Sequence, residues 1–165
     1  MKSIDTARKY LGKQETAGAN RGPLIDQWCA DLSVPKGVYW CGVFVGHTLI
    51  EAYGLNDKAT LRKALGFASP FYVDAANDWY QQSKTLQRVG IDGVTPGDLF
   101  VLLAADGRAE HIGFVITPPD EMRKFHTIEG NTNNGGSRNG DGVYERDRFA
   151  GPNVEFLHIP QELKA

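Results

Sequence analysis

Up to about residue 90 the apolar side chains recur at helical spacing, and beyond it they recur at the spacing of strands. That change of period limits the folds open to the chain. In the first part, Ile4, Ala7, Tyr10 and Leu11 predict a helix over residues 3–11, and Pro23 starts a second whose face is Leu24, Ile25, Trp28, Cys29 and Leu32. A third, headed by Cys41, carries Phe44, Val45, Thr48, Leu49, Ala52 and Tyr53 on one stripe and stops at Gly54. Asn56 or Asp57 caps a short helix through Leu61 and Leu65, and Ser69-Pro70 opens another with Val73, Ala76, Trp79 and Tyr80. Strands follow over residues 99–104, 111–117, 124–130, 142–148 and 154–159, with Asp106-Gly107 as a hairpin turn. Helices first and strands afterwards is the α+β pattern: N-terminal helices packed on a C-terminal antiparallel meander of about five strands. There is no internal repeat or linker, so residues 1–165 form one domain.

A chain of 165 residues buries enough apolar surface to need neither disulfide nor structural metal. A net charge of −2 is wrong for a nucleic-acid surface, although Arg138, Arg146 and Arg148 lie close in sequence. No apolar run is long enough to insert in a membrane, and the N-terminal residues lack the apolar core of a signal peptide. The expectation is a soluble, monomeric product of the cytoplasm that reaches any external site of action by release or export. The two cysteines, Cys29 and Cys41, read as separate thiols, with Cys29 inside a core stripe.

Cys41 is placed differently. A thiol in the first turn of a helix meets unpaired backbone N–H groups and the positive end of the helix dipole, and both favour the nucleophilic thiolate. A nucleophile of this kind needs a base, and there are four histidines. His47 is six residues along the same helix and rotated away from Cys41. His111 starts a central strand on which Ile112, Phe114 and Ile116 share one face and His111, Gly113 and Val115 the other, so that Gly113 leaves room beside His111 for a bulky group such as a substrate. On the next strand Thr127, Glu129 and Asn131 share a face, which places Glu129 or Asn131 beside His111 as acceptor for its N–H. His126 points to the opposite face. A cysteine, a histidine and a polar orienter make up the nucleophile, base and third group of covalent catalysis.

Four pieces of sequence carry a further resemblance: Trp40-Cys41 heading a helix, Pro96-Gly97-Asp98-Leu99 opening a strand, His111-Ile112-Gly113, and Ile128-Glu129-Gly130-Asn131-Thr132. In this order, and over nearly the whole chain to about Arg148, they resemble the CHAP domain, the cysteine, histidine-dependent amidohydrolase/peptidase of the papain-like superfamily. The resemblance implies a cofactor-free hydrolase of bacterial peptidoglycan, an amidase or a cross-link endopeptidase of the kind found in phage lysins, autolysins and exported antibacterial effectors. An effector would have an immunity protein as partner. It implies Cys41 as nucleophile, His111 as base and later acid, and Glu129 with Asn131 as the orienting pair.

The Cys41 N–H would be one oxyanion donor, with Tyr39 and Asn20 as candidates for the second and, together with Trp40, for contact with substrate. Trp28, Trp79 and the Gly/Asn-rich residues 130–142 are further candidates for groove walls. Residues 33–39 lack the carboxylates of the calcium loop seen in some CHAP lysins, so no metal is expected there. Two other readings fit the same features: a papain-like amidase on a non-wall amide, and a catalytically silent wall-binding or phage structural module.

Overall fold

The computed structural model describes residues 1–82, 86–132, 140–160 and 163. Five helices, α1 (Lys2–Arg8), α2 (Pro23–Asp31), α3 (Cys41–Tyr53), α4 (Lys58–Ala64) and α5 (Ala76–Gln82), precede one antiparallel sheet. Its strands are β1 (Arg88–Val89), β2 (Leu99–Leu103), β3 (Ala109–Thr117), β4 (Lys124–Thr132), β5 (Gly142–Phe149) and β6 (Val154–Leu157). The fold is α+β, as the change of period predicts. The order across the sheet, β1-β6-β2-β3-β4-β5, departs from a plain meander. Strand β6 returns past three strands to pair with β2, and the two-residue β1 extends that edge. Among the described residues no helix is long and apolar enough to cross a membrane.

Helix α3 is the centre of the helical layer. Cys41 to Val45, Gly46, Thr48 and Leu49 are all buried, and Gly54 closes the helix in the left-handed conformation, φ 64°. Its partners on the sheet are Ile112, Phe114 and Ile128, which join the large core formed with the helices. A second, smaller core of Val94, Phe100, Val115, Phe125, Ala150 and Phe156 fills the other face of the sheet. The alternation along β3 is therefore as expected, with Ile112 and Phe114 toward the helices and Val115 away from them.

Two helices are shorter than their apolar spacing predicts. Helix α1 ends at Arg8, and Leu11 is exposed. Helix α5 starts at Ala76 rather than at Ser69-Pro70 because α5 side chains satisfy the preceding backbone. Gln82 bonds to the Ala68 N–H and to the Ala68 and Pro70 carbonyls, Asp78 accepts the Tyr72 N–H, and the Trp79 indole donates to the Val73 carbonyl at 2.9 Å. With those groups paired, no helical ladder is needed there.

Close approach of α3 to its surroundings depends on glycines. A Cβ at Gly130 of β4 would lie 2.5 Å from Phe44 Cβ and 2.9 Å from the Trp40 ring, and one at Gly42 would lie 2.2 Å from the Val73 carbonyl. These two positions let the first turn of α3 sit down on β4 and on the chain before α5. Gly130→Ala is predicted to cost about 1–3 kcal/mol in denaturant unfolding, the range for overpacking a core. Gly90→Ala, whose Cβ would meet nothing within 4 Å, is expected to stay within about 0.5 kcal/mol.

Candidate active site

Cys41 is the first residue of α3, with Trp40 as its N-cap, and the amide N–H groups of that turn have no acceptor within the helix. The Phe44 N–H, one turn on, already bonds to the Trp40 carbonyl. Trp40 itself is fixed from three sides: its indole donates to Glu15 Oε1 at 3.0 Å, its ring packs 6.1 Å from that of Trp28, and its backbone N–H is met by Asn131.

The histidine expected to serve Cys41 lies close to this turn. His111 is buried, and its Nε2 is 2.7 Å from Glu129 Oε2. Gly113 makes this contact possible, because a Cβ there would lie 2.9 Å from Glu129 Cγ and 2.8 Å from the Phe100 ring. The space beside His111 is thus filled by the Glu129 side chain and Phe100, which corrects the expectation that Gly113 makes room for substrate.

Glu129 in turn is held by Arg148, whose Nη2 donates at 2.6 Å and whose Nε donates to the other oxygen, and by the Thr127 hydroxyl. The Arg148 guanidinium lies 5.3 Å above the Phe100 ring. Phe100, Thr127, Glu129 and His111 form a closed polar pocket inside the second face of the sheet.

Burial opposes charge on Glu129, but hydrogen bonds from Arg148 and His111 outweigh it and hold the carboxyl at about 2. Burial likewise lowers the His111 pKa, and hydrogen bonding to Cys41 and Glu129 more than compensates, raising it to about 9. An ionised carboxylate only accepts, so the proton on His111 Nε2 points at Glu129 and Nδ1 is the nitrogen left for Cys41. Nδ1 makes no hydrogen bond of normal geometry in this resting arrangement, although Cys41 is near enough to act on the protonation of the ring.

The choice between Glu129 and Asn131 is settled by a bulge. The β4–β5 register shifts between Glu129 and Thr132, and Asn131 adopts φ 55°. The alternation that puts Asn131 on the Glu129 face ends there. With its amide turned to the orientation that satisfies both neighbours, Asn131 accepts the Trp40 N–H at 3.2 Å and donates to the Gly140 carbonyl at 2.9 Å, so it anchors the N-cap of α3 rather than orienting His111.

The other histidines serve elsewhere. His47 stacks on Trp28 at 5.0 Å and meets the Tyr10 hydroxyl at 3.0 Å. His126 is held between Glu145 and Asp147, and His158 by the buried Asp98.

A cavity of about 260 Å³ opens on Cys41, walled by Tyr39, residues 74–77 and residues 108–110. Tyr39, 60% exposed, stands on its rim as a substrate-contact residue would. Four other candidates are corrected. Trp40 and Trp79 are wholly buried and Trp28 is nearly so, so none of them offers a groove wall. Asn20 gives its N–H to Glu15 and its amide to the Gly37 carbonyl, pinning the loop before α2, and it does not line the cavity. Of the Gly/Asn-rich loop, residues 133–139 lie outside the described residues. Both cysteines are free, and burial pushes the Cys29 thiol up. Among the described residues no group of three or more His, Cys, Asp or Glu is placed to hold a metal ion.

Sequence reasoning passed over Arg148 as part of the site. A carboxylate buried beside a histidine calls for a cation, but Arg146 and Arg148 share one face of the strand by spacing, and the register sets Arg146 opposite Thr127 and Arg148 opposite Phe125, so only the side-chain contacts of Arg148 with Glu129 identify it.

The protonation states carry a sign. The His111 pKa is raised, so its contribution to stability is complete below its unfolded value near 6.5 and is lost as pH rises through about 9. The Glu129 pKa is depressed, so its contribution is complete above about 4.5 and is lost as pH falls toward about 2. NMR titration of the His111 ring is therefore predicted to show a midpoint near 9, lowered in Glu129→Gln; an unmoved midpoint would contradict the coupling. Arg148→Ala, which takes charge-assisted hydrogen bonds from a buried carboxylate and leaves it on His111 and Thr127, is expected to destabilise by about 1.5–3 kcal/mol in chemical denaturation.

Comparison with protein-family models, with curated proteins and with solved structures returned no match for this chain.

Proposed function

We propose that the protein is a thiol amidohydrolase that cuts peptide amides of bacterial peptidoglycan. The observation that carries the chemistry is the nearness of Cys41, first residue of a buried helix, to a wholly buried His111 whose Nε2 is locked on Glu129. The substrate class rests on the resemblance of the Trp40-Cys41, His111-Ile112-Gly113 and Glu129-Gly130-Asn131 motifs to CHAP domains.

In this reading the Cys41 thiolate attacks the amide carbonyl carbon, and the unpaired N–H groups at the start of α3 stabilise the oxyanion. His111, protonated on both nitrogens at neutral pH, gives its Nδ1 proton to the leaving amine. The neutral ring then accepts a proton from the water that hydrolyses the thioester. Glu129 keeps the ring in place and favours its charged form throughout, while Arg148 keeps Glu129 ionised. No step calls on a cofactor. The product acts in the periplasm or wall, as a lysin or an exported effector.

Digestion of purified peptidoglycan, read by mass spectrometry of the released fragments, tests the reading. Wild type and Cys29→Ala should release fragments whose new termini name the bond. Cys41→Ala and His111→Ala should release none while keeping the fold. Fragments from Cys41→Ala would remove the thiol mechanism, and silence from wild type on walls of several chemotypes would leave a non-wall amide or a binding role.

A further inference from the structure

The cavity beside Cys41 holds one neutral amide whose acceptor is used and whose donors are spare. Asn77, on α5, accepts the Ala109 backbone N–H with its Oδ1 at 3.0 Å. An N–H can be met only by the oxygen end of the amide, so this contact fixes the orientation of the group. The Nδ2 end takes no part in that contact, and among the described residues no hydrogen bond from it to an acceptor is found.

Asn77 lines the same cavity as Cys41, and its partner Ala109 lies two residues before His111 on β3. The chain leading to it is packed against the nucleophile's own turn: a Cβ at Gly42 would lie 3.3 Å from the Asp74 carbonyl carbon and 2.2 Å from the Val73 oxygen. Of the charged groups on the cavity wall, Asp74 and Glu110 are carboxylates that offer no donor when ionised, and Arg108 is an exposed residue of the turn before β3.

The geometry points to Asn77 Nδ2 as the second donor, beside the Cys41 N–H, to the oxygen of the scissile carbonyl. As the Cys41 sulfur bonds to the carbonyl carbon, the C=O π pair moves onto oxygen, and the two N–H groups take up that charge. Collapse restores C=O and breaks the C–N bond, the nitrogen leaving with the His111 proton. Asn77 touches a reacting atom in this scheme and is a catalytic residue. The assignment rests on Cys41 as nucleophile and is independent of which amide is the natural substrate.

Asn77→Asp separates this role from a structural one, since it keeps an acceptor for the Ala109 N–H and loses the donor. Two reactions of Cys41 are compared in the full-length protein: acylation by p-nitrophenyl acetate, which passes through an oxyanion and releases p-nitrophenolate, and alkylation by iodoacetamide, which does not. The ratio of acylation rate to alkylation rate should fall about 10²-fold in Asn77→Asp, the usual effect of losing one oxyanion donor. Asn77→Ala should lower it similarly and serves if the aspartate variant does not fold.

An unchanged ratio in the folded variants, or equal loss of both rates, would overturn the assignment. Absence of a wild-type acylation burst would overturn it together with Cys41 as nucleophile. Soluble muropeptides form a separate arm: a wild type that acylates with the ester but leaves muropeptides intact would refute the peptidoglycan reading and leave Asn77 in its role.

Discussion

A carboxylate with no exposure to water sits at the centre of the sheet's second face, and the structure around it is arranged to keep it charged. Glu129 has His111 on one side and Arg148 on the other, with Thr127 beneath and Phe100 alongside. Removing either partner would take charge-assisted hydrogen bonds from the buried carboxylate and leave it on the other and on Thr127, a loss of stability of about 1.5–3 kcal/mol. The side chains come from β2, β3, β4 and β5, so the register of four strands is tied to one ion chain. Gly113 is small because Glu129 passes over it. The pairing also fixes the proton on the far nitrogen of His111 and presents Nδ1 toward Cys41.

The second constraint comes from the opposite face. Helix α3 has to bring its first turn to the sheet, and Gly130 and Gly42 remove the two side chains that would hold it off. Three successive residues of β4 thus work differently: Glu129 holds His111, Gly130 admits α3, and Asn131, after a bulge, ties down the N-cap of that helix through Trp40. Under the proposed thiol mechanism this is how one short stretch sets the distance between nucleophile and base.

Much of this was legible in the sequence where periodicity is strong. The α3 stripe from Phe44 to Tyr53, the Gly54 stop, a cap at Asn56 or Asp57, of which the structure uses Asp57, and the alternation along β3 follow from spacing and local chemistry. Legibility ended where tertiary contacts replace local rules. Helix α5 begins late because Gln82, Asp78 and Trp79 pair the backbone before it, and no propensity reports that. Asn131 left its expected face because a bulge breaks alternation, and a bulge is invisible to a period-two reading. Arg148 could not be told from Arg146, which shares its strand face, without the side-chain contacts, and the tryptophans that looked available for a groove are core, their ring nitrogens at Trp40 and Trp79 satisfied internally.

The central claim, that Cys41 attacks a carbonyl with His111 as its partner, is tested most directly by trapping the covalent intermediate. Wild type mixed with muropeptides and quenched in acid within a turnover should carry an acyl fragment on the proteolytic peptide that contains Cys41, in a linkage cleaved by hydroxylamine as a thioester is. An acyl group on any other residue, or turnover with no adduct at Cys41 under conditions that trap it, would contradict the account.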